Sequence, residues 1–182
     1  EVPDAAIIAN GDLPMFNSQD LPNPQKFFGF DTDINSSDQS KEDAQCPKCG
    51  HTLNYHHFTY ANLGDYYCPS CGFKRPELDY KVTGVQELNV THSTFKLDND
   101  SYTLHNAGIY NIYNALAAYS VGRHFDVSPA DIKDAFLANE RVFGRQEVII
   151  AYDKKIILNV VKNPVGLDQV LNLVKLEKEP FT

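Results

Sequence analysis

Apolar positions in the first hundred residues come in short runs or in alternation. From about residue 109 the period lengthens to that of a helix, and alternation returns near residue 146. Residues 5–9 (AAIIA) make an apolar run closed by Asn10-Gly11-Asp12, which predicts a buried strand stopped by turn residues. A second short strand is expected over 26–30. Alternation predicts strands over 80–87 and 93–97, and Asp98-Asn99-Asp100 reads as a tight turn into a further strand at 102–104. Ile112, Ala115, Leu116 and Tyr119 then fall at helical spacing, with Asn111 near the start and Gly122 placed for a C-terminal cap. Ser128-Pro129-Ala130-Asp131 opens a second helix with an N-cap, a proline at the first helical position and an acid at the third; Ile132, Ala135 and Phe136 form its buried side. Residues 146–161 give two β-rich runs joined at Asp153-Lys154. A last helix over 164–176 carries Leu167, Val170, Leu171 and Val174 as one stripe. The fold class is mixed α/β.

Between the second and third predicted strands the pattern breaks. Residues 31–45 hold five acids, one base and Ile34 as the only large apolar side chain, a composition that suits an exposed linker and not a core. It leads into 46–76, a small unit that begins and ends with near-identical knuckles, CPKCG and CPSCGFKRP, the one internal repeat of the chain.

All four cysteines lie in these knuckles, as Cys46-x2-Cys49-x18-Cys68-x2-Cys71. Two thiolates per knuckle, facing each other across a hairpin, make the tetrahedral soft-ligand cage that zinc prefers, and four protein ligands leave no position open for water. The expected site is a structural Zn2+ held by Cys46, Cys49, Cys68 and Cys71. Gly50 and Gly72 let the backbone curl so that its N–H groups face the sulfurs. Disulfides would suit an oxidising compartment and a redox pair would need only one C-x-x-C, so both are weaker readings. His51, His56 and His57 are alternative ligands only if a cysteine yields its place.

Charge narrows the function. Sixteen Lys+Arg against twenty-four Asp+Glu leave a formal net charge of −8 over 182 residues, a repulsive surface for phosphate backbones and anionic lipids. No apolar run approaches the roughly 20 residues that cross a bilayer. Four-cysteine ribbons often bind nucleic acid, and Tyr55, Phe58, Tyr60, Tyr66, Tyr67 and Phe73 offer rings for stacking; in so small a unit they serve better as its core. A zinc-ribbon module that binds protein or nucleic acid without catalysis is the alternative reading. The chain opens on Glu1 without a signal-peptide pattern and its only methionine is Met15, so a cytoplasmic, processed or partly represented chain is expected; an end at an internal position is expected after 177–182 (EKEPFT).

Four segments, in order, resemble the Mur ligase superfamily, which uses ATP to join amines to carboxylates. Residues 108–118, GIYNIYNALAA, are similar to its G-x-H-N-x-x-N-x-x-A-A helix. Ile7-Ile8-Ala9-Asn10-Gly11-Asp12-Leu13-Pro14 resembles the N-A-D-D-P strand end of its central domain, and Gly144-Arg145-Gln146-Glu147 its G-R-x-E element. Asn159-Val160-Val161-Lys162-Asn163-Pro164 stands in the place of D-Y-A-H-x-P, which opens the C-terminal domain.

The resemblance implies residues 1–45 as the end part of a central domain with an acidic linker, 46–76 as a zinc-ribbon insertion, 77–144 as the remainder of the central domain, and 145–182 as the beginning of a Rossmann-like C-terminal domain. By the family pattern, contact with ATP falls to Asn114 and Arg145, and to Asn111. Taken alone, Asn111 reads as a helix cap, Asn114 as a polar first-turn residue and Arg145 as a surface charge. If the family reading holds, the amide of Asn114 and the guanidinium of Arg145 converge on one pocket.

An inserted ribbon and K-N-P-x-G are not general to the superfamily. They resemble its amidating branch, in which a ligase subunit phosphorylates the D-glutamate α-carboxylate of the lipid II stem peptide with ATP and Mg2+, and a separate glutaminase subunit, GatD, supplies ammonia to give D-isoglutamine in peptidoglycan synthesis. No glycine here precedes a lysine, so the phosphate-cradling G-x-x-x-x-G-K-[ST] loop is absent from this chain and is expected before residue 1. Asn159 replaces Asp and Lys162 replaces His of the family pattern, so neither takes a catalytic role; the catalytic residues are expected outside the chain.

Overall fold

The computed structural model describes residue 2 and residues 4–34, 44–138 and 145–177, with the backbone alone at 145 and 146. Most of the acidic linker, Gly144 of the G-R-x-E element, the Arg145 side chain and the end of the EKEPFT tail lie outside the described residues.

Strands β1 (Ile7–Asn10) and β2 (Gln25–Phe30) head one sheet, β3 (Asn54–Phe58) and β4 (Gly64–Tyr67) form a separate hairpin, and β5 (Tyr80–Leu88), β6 (Ser93–Leu97) and β7 (Asp100–Leu104) complete the first sheet in the order β1-β2-β5-β6-β7. β1, β2 and β5 run parallel, with Ala9 opposite Phe27 and Gly29 opposite Lys81; β5, β6 and β7 are antiparallel. Parallel neighbours need a crossover of a dozen or more residues. The crossover from β2 to β5 is the segment that carries the four-cysteine hairpin, so the insertion occupies a connection the sheet already requires.

Helix α1 (Ile109–His124) lies on the sheet, with Ile109, Ile112, Leu116 and Tyr119 buried against Phe30, Val82, Phe95, Leu97 and Tyr102. It begins at Gly108, whose φ of 104° is costly for any other residue and whose missing Cβ leaves room for the Tyr110 ring. Gly122 is not the cap that the sequence predicts. It lies inside the helix, where the absent side chain admits Ile132 of α2 (Pro129–Ala138); the cap is a Schellman motif in which Asp126, at φ 60°, donates its N–H to Arg123 O and Val127 to Gly122 O at 3.0 Å.

At the start of α2, Ser128 Oγ accepts from Asp131 N at 3.1 Å, the N-cap that the sequence predicts, and donates to Asp131 Oδ2 at 2.7 Å. Ile132 is buried and Phe136 sits edge-on to Tyr102, whereas Ala135 is exposed.

Strands β8 (Arg145–Ala151) and β9 (Lys154–Asn159) form an antiparallel hairpin that turns at Tyr152-Asp153, both with positive φ, one residue earlier than the sequence suggests. Helix α3 (Pro164–Val174) opens with Pro164 after Asn163, whose side chain accepts from Gly166 N at 2.7 Å. Its packed face is Gln169 and Leu173. Leu167 and Leu171, expected on the buried stripe, are 46% and 49% exposed, because no described residue covers that side.

Candidate functional site

The four cysteine sulfurs lie within 4.8 Å of one another, with Cys46 Sγ 3.6 Å from Cys71 Sγ and Cys49 Sγ 3.6 Å from Cys68 Sγ. None is disulfide-bonded. Metal–sulfur bonds of about 2.3 Å in a tetrahedron set sulfurs about 3.8 Å apart, so the cluster fits one thiolate-bound ion. Each knuckle repeats the same turn: Gly50 N donates to Cys46 O at 2.8 Å and Gly72 N to Cys68 O at 3.1 Å, both glycines having φ near 75° (74° and 76°) with open space where a Cβ would be. Backbone N–H groups of Cys71 and Ser70 favour the Cys68 thiolate and hold that thiol below its ordinary value, while burial and the neighbouring sulfurs hold the Cys71 thiol above its own. Four thiolates in one small space repel, and a divalent cation between them removes the repulsion. Of the three histidines, His51 is exposed, His56 stacks on Tyr67 at 4.6 Å and His57 Nε2 lies 2.9 Å from Phe30 O; none joins the sulfurs.

The hairpin has a small core of its own near the sulfurs, where Leu53 and Tyr66 pack with Cys46 and Cys68 against Tyr55 and Phe73. Its far end belongs elsewhere. Leu63 is buried in the main core, Tyr60 packs against that core, and Arg75 reaches from the hairpin to the ends of β1 and β2.

There the Asx turn of Asn10, which accepts from Asp12 N at 3.0 Å, swings Asp12 into the interior. Gly29 has no side chain to exclude the carboxylate. Asp12 is fully buried; its Oδ2 accepts from Phe30 N at 2.7 Å and Tyr113 Oη at 2.6 Å, and its Oδ1 from Arg75 Nη1 at 3.0 Å. Burial pushes the Asp12 carboxyl above its ordinary value, against the opposing pull of these three donors, and pushes the Tyr113 phenol well up. Arg75 also meets Asp65 at 3.2 Å and Asp31 at 3.5 Å. Thr59, fully buried in the hairpin, places Oγ1 2.8 Å from Tyr113 Oη.

Beside this network on α1, a cleft of about 590 Å³ opens between α1, the hairpin end and the segment from β9 into α3. Asn114, Tyr110 and Tyr60 line one side; Asn159, Lys162 and Gln169 line the other. Asn111 is not among the lining residues, because its Nδ2 turns back to donate to Ala107 O at 2.7 Å. The backbone of Arg145 stands directly opposite Asn159 in the β8–β9 pair, so this position is next to the cleft wall. Asn114 is therefore brought together with the segment around residues 159–162, while Asn111 holds the helix start. Such an arrangement of amides, phenols and one ammonium around a concave surface suits a polar, planar ligand.

Sequence reasoning named Tyr60 only among six hairpin rings and gave them to the hairpin's own core, whereas Tyr60 packs against the main core and lines the cleft; Tyr110, Thr59 and the Asp12–Arg75–Tyr113 network were not singled out. Tyr110 lies in the quoted helix motif and could have been found there. Which of the six rings leaves the hairpin core could not be read, because a register shift between Tyr55 and Phe58 breaks the alternation that would say which of them face outward.

No protein-family profile matches the chain. Its sequence is 42% identical over 185 residues to the lipid II isoglutaminyl synthase (glutamine-hydrolyzing) subunit MurT of Streptococcus pneumoniae, covering 100% of this chain and 41% of that subunit. It is 30% identical over 149 residues to the MurT of Staphylococcus aureus, covering 81% of this chain and 33% of that protein. Among solved structures, a pseudomurein peptide ligase type C from Methanothermus fervidus superposes with a TM-score of 0.74 at 27% identity, covering 91% of this chain and 33% of that one. The chain spans about two fifths of the length of the first of these curated relatives and a third of the second.

Proposed function

We infer that this chain, which resembles the Mur ligase superfamily and within it MurT along its whole length, is part of an ATP-dependent carbon–nitrogen ligase that amidates the D-glutamate α-carboxylate of the lipid II stem peptide. The cleft that faces Asn114 towards Asn159 and Lys162 is the observation that carries the reading, because a helix amide and a second segment meet where a nucleotide base and ribose can be held. In this reading Asn114 and Arg145 contact ATP, and Asn111 acts beside them by holding the start of α1. ATP with Mg2+ supplies the phosphoryl group that activates the carboxylate, and ammonia comes from a glutaminase partner, GatD.

The catalytic residues and the phosphate loop belong to other parts of the ligase. The four-cysteine hairpin is a structural zinc ribbon, and β8, β9 and α3 are the opening of a Rossmann-like C-terminal domain. The exposure of Ile149, Ile156 and Leu158 on one face of the β8–β9 hairpin, and of Leu167 and Leu171 on α3, supports this last point, since exposed apolar surface of that extent calls for covering. Among the described residues no helix is long and apolar enough to cross a membrane.

The test is amidation of lipid II by the full-length protein with its glutaminase, glutamine and Mg-ATP, read as conversion of the stem-peptide glutamate to isoglutamine by mass spectrometry. Asn114→Ala is expected to raise the apparent KM for ATP by roughly tenfold, the effect of losing one bidentate polar contact to a buried ligand. A full-length protein that shows no Mg-ATP binding by calorimetry would overturn the reading.

A further inference from the structure

Metal-stapled hairpins are ordinarily read as local braces, yet the far end of this one is built into the cleft. We propose that the hairpin tip, Thr59 and Tyr60, is a positioning element of the ligand site: it fixes the first turns of α1 and supplies an aromatic wall against which a planar heterocycle, such as a nucleobase, lies. The ligand class rests on the nucleotide reading above; the positioning of α1 does not.

Three observations converge on the tip. Thr59 is fully buried and its Oγ1 is 2.8 Å from Tyr113 Oη, the same hydroxyl that donates to the buried Asp12. Tyr113 directly precedes Asn114, so whatever fixes the Tyr113 side chain also fixes the rotation of the helix that aims Asn114 into the cleft. The Tyr60 ring meets the Tyr113 ring edge-on at 5.8 Å and lines the cleft beside Tyr110 and Asn114.

The backbone of the tip is specialised to hold this arrangement. Leu63 N donates to Tyr60 O at 3.0 Å and Thr59 N to Leu63 O at 2.9 Å, closing a tight turn in which Ala61 takes φ 53°. A left-handed alanine is costly and persists only where its surroundings over-determine it. Leu63 anchored in the main core and Thr59 bonded to Tyr113 do so. Burial pushes the Tyr60 phenol up to about 12, so the wall presents a neutral ring at physiological pH.

The full-length protein, with metal content verified, tests the proposal in two independent readouts: Mg-ATP affinity by calorimetry, with inorganic triphosphate as a base-free probe, and amide hydrogen exchange over residues 109–116. Tyr60→Ala is expected to weaken Mg-ATP about tenfold, the loss of one base–ring contact, while triphosphate binds unchanged and Tyr60→Phe restores the affinity. Thr59→Val is expected to speed exchange at the start of α1 and weaken Mg-ATP, with Thr59→Ser restoring both. Should Tyr60→Ala fail to fold, Tyr60→Leu keeps apolar packing without the ring.

Unchanged affinity together with unchanged exchange in Tyr60→Ala and Thr59→Val would overturn the proposal. If the wild-type protein binds no Mg-ATP, the nucleotide reading fails by itself. The exchange measurement then decides: faster exchange rescued by Thr59→Ser upholds the positioning role, and no change refutes it.

Discussion

Arg75 binds three acids from three parts of the chain, yet only one of those contacts is expensive to lose. Asp31 is 43% exposed and Asp65 28% exposed, and pairs of that kind contribute at most about 1 kcal/mol each. Asp12 has no exposure at all, so truncating its cation leaves a buried carboxylate with its Phe30 and Tyr113 donors but no counter-charge. Arg75→Met is therefore expected to destabilise the protein by about 3–5 kcal/mol in urea unfolding. The double variant Asp12→Asn/Arg75→Met should lose less than the sum of the two single changes. Additive losses would mean that the two residues act separately.

A smaller effect belongs to Asp31, which the Lys81 hydrogen bond holds below its ordinary value of about 3.8. A carboxyl lowered on folding adds stability that is present above that ordinary value and lost as pH falls through the lowered one. The acid limb of a stability–pH curve should thus flatten below about pH 3.8 in Asp31→Asn, and an unchanged limb would contradict the pairing. Neither partnership could be read from the sequence, where Arg75 is one cation in a near-neutral segment and Asp12 one residue of a turn. Sixty-three positions separate them, and no local pattern encodes that distance.

At the scale of the elements, what the sequence revealed was local chemistry. Ser128-Pro129-Ala130-Asp131 caps α2 as its side chains dictate, and the cysteine spacing alone brings four sulfurs together, because those geometries are set within a few residues or by a simple hairpin. The misses share a cause: a neighbour outside the element decided the outcome. Gly122 reads as a cap, but Ile132 of α2 uses its bare surface; the helix runs on to His124 and the left-handed capping residue is Asp126 instead. The predicted stripe on α3 has the right period, yet burial falls on Gln169, which lines the cleft, and on Leu173. Of the two motif amides, Asn114 lines the cleft, whereas Asn111 donates to Ala107 O.

The corrected end of α1 gives a prediction of its own. Asp126 at φ 60° pays the Cβ penalty of the left-handed region that glycine avoids. After the larger unfolded-state entropy of glycine is subtracted, Asp126→Gly is expected to stabilise by about 0.5 kcal/mol and raise the melting temperature. A lowered melting temperature would mean that the Asp126 side chain contributes more to the cap than its backbone costs.

On the scale of the whole molecule, the decisive fact is where the insertion sits. A four-cysteine hairpin on a surface loop would melt alone, but this one fills the β2-to-β5 crossover and splits its packing between two cores, Tyr66 with the cysteines and Leu63 with α1 and the sheet. Ion binding by four thiolates is worth about 10–16 kcal/mol at neutral pH, comparable to the roughly 5–15 kcal/mol that separates a folded domain from its unfolded chain. Losing it therefore cannot stay local while Thr59 and Arg75 tie the hairpin to Tyr113 and Asp12. Cys68→Ser, or chelation by a strong zinc ligand, is expected to release the metal, lower the melting temperature of the helical signal as well as that of the aromatic hairpin signal, and keep the two in one transition. Circular dichroism at far- and near-ultraviolet wavelengths on the full-length protein separates the cases. A low-temperature step confined to the aromatic signal, followed by helix melting at the wild-type temperature, would show that the two cores are energetically independent despite the side chains that join them.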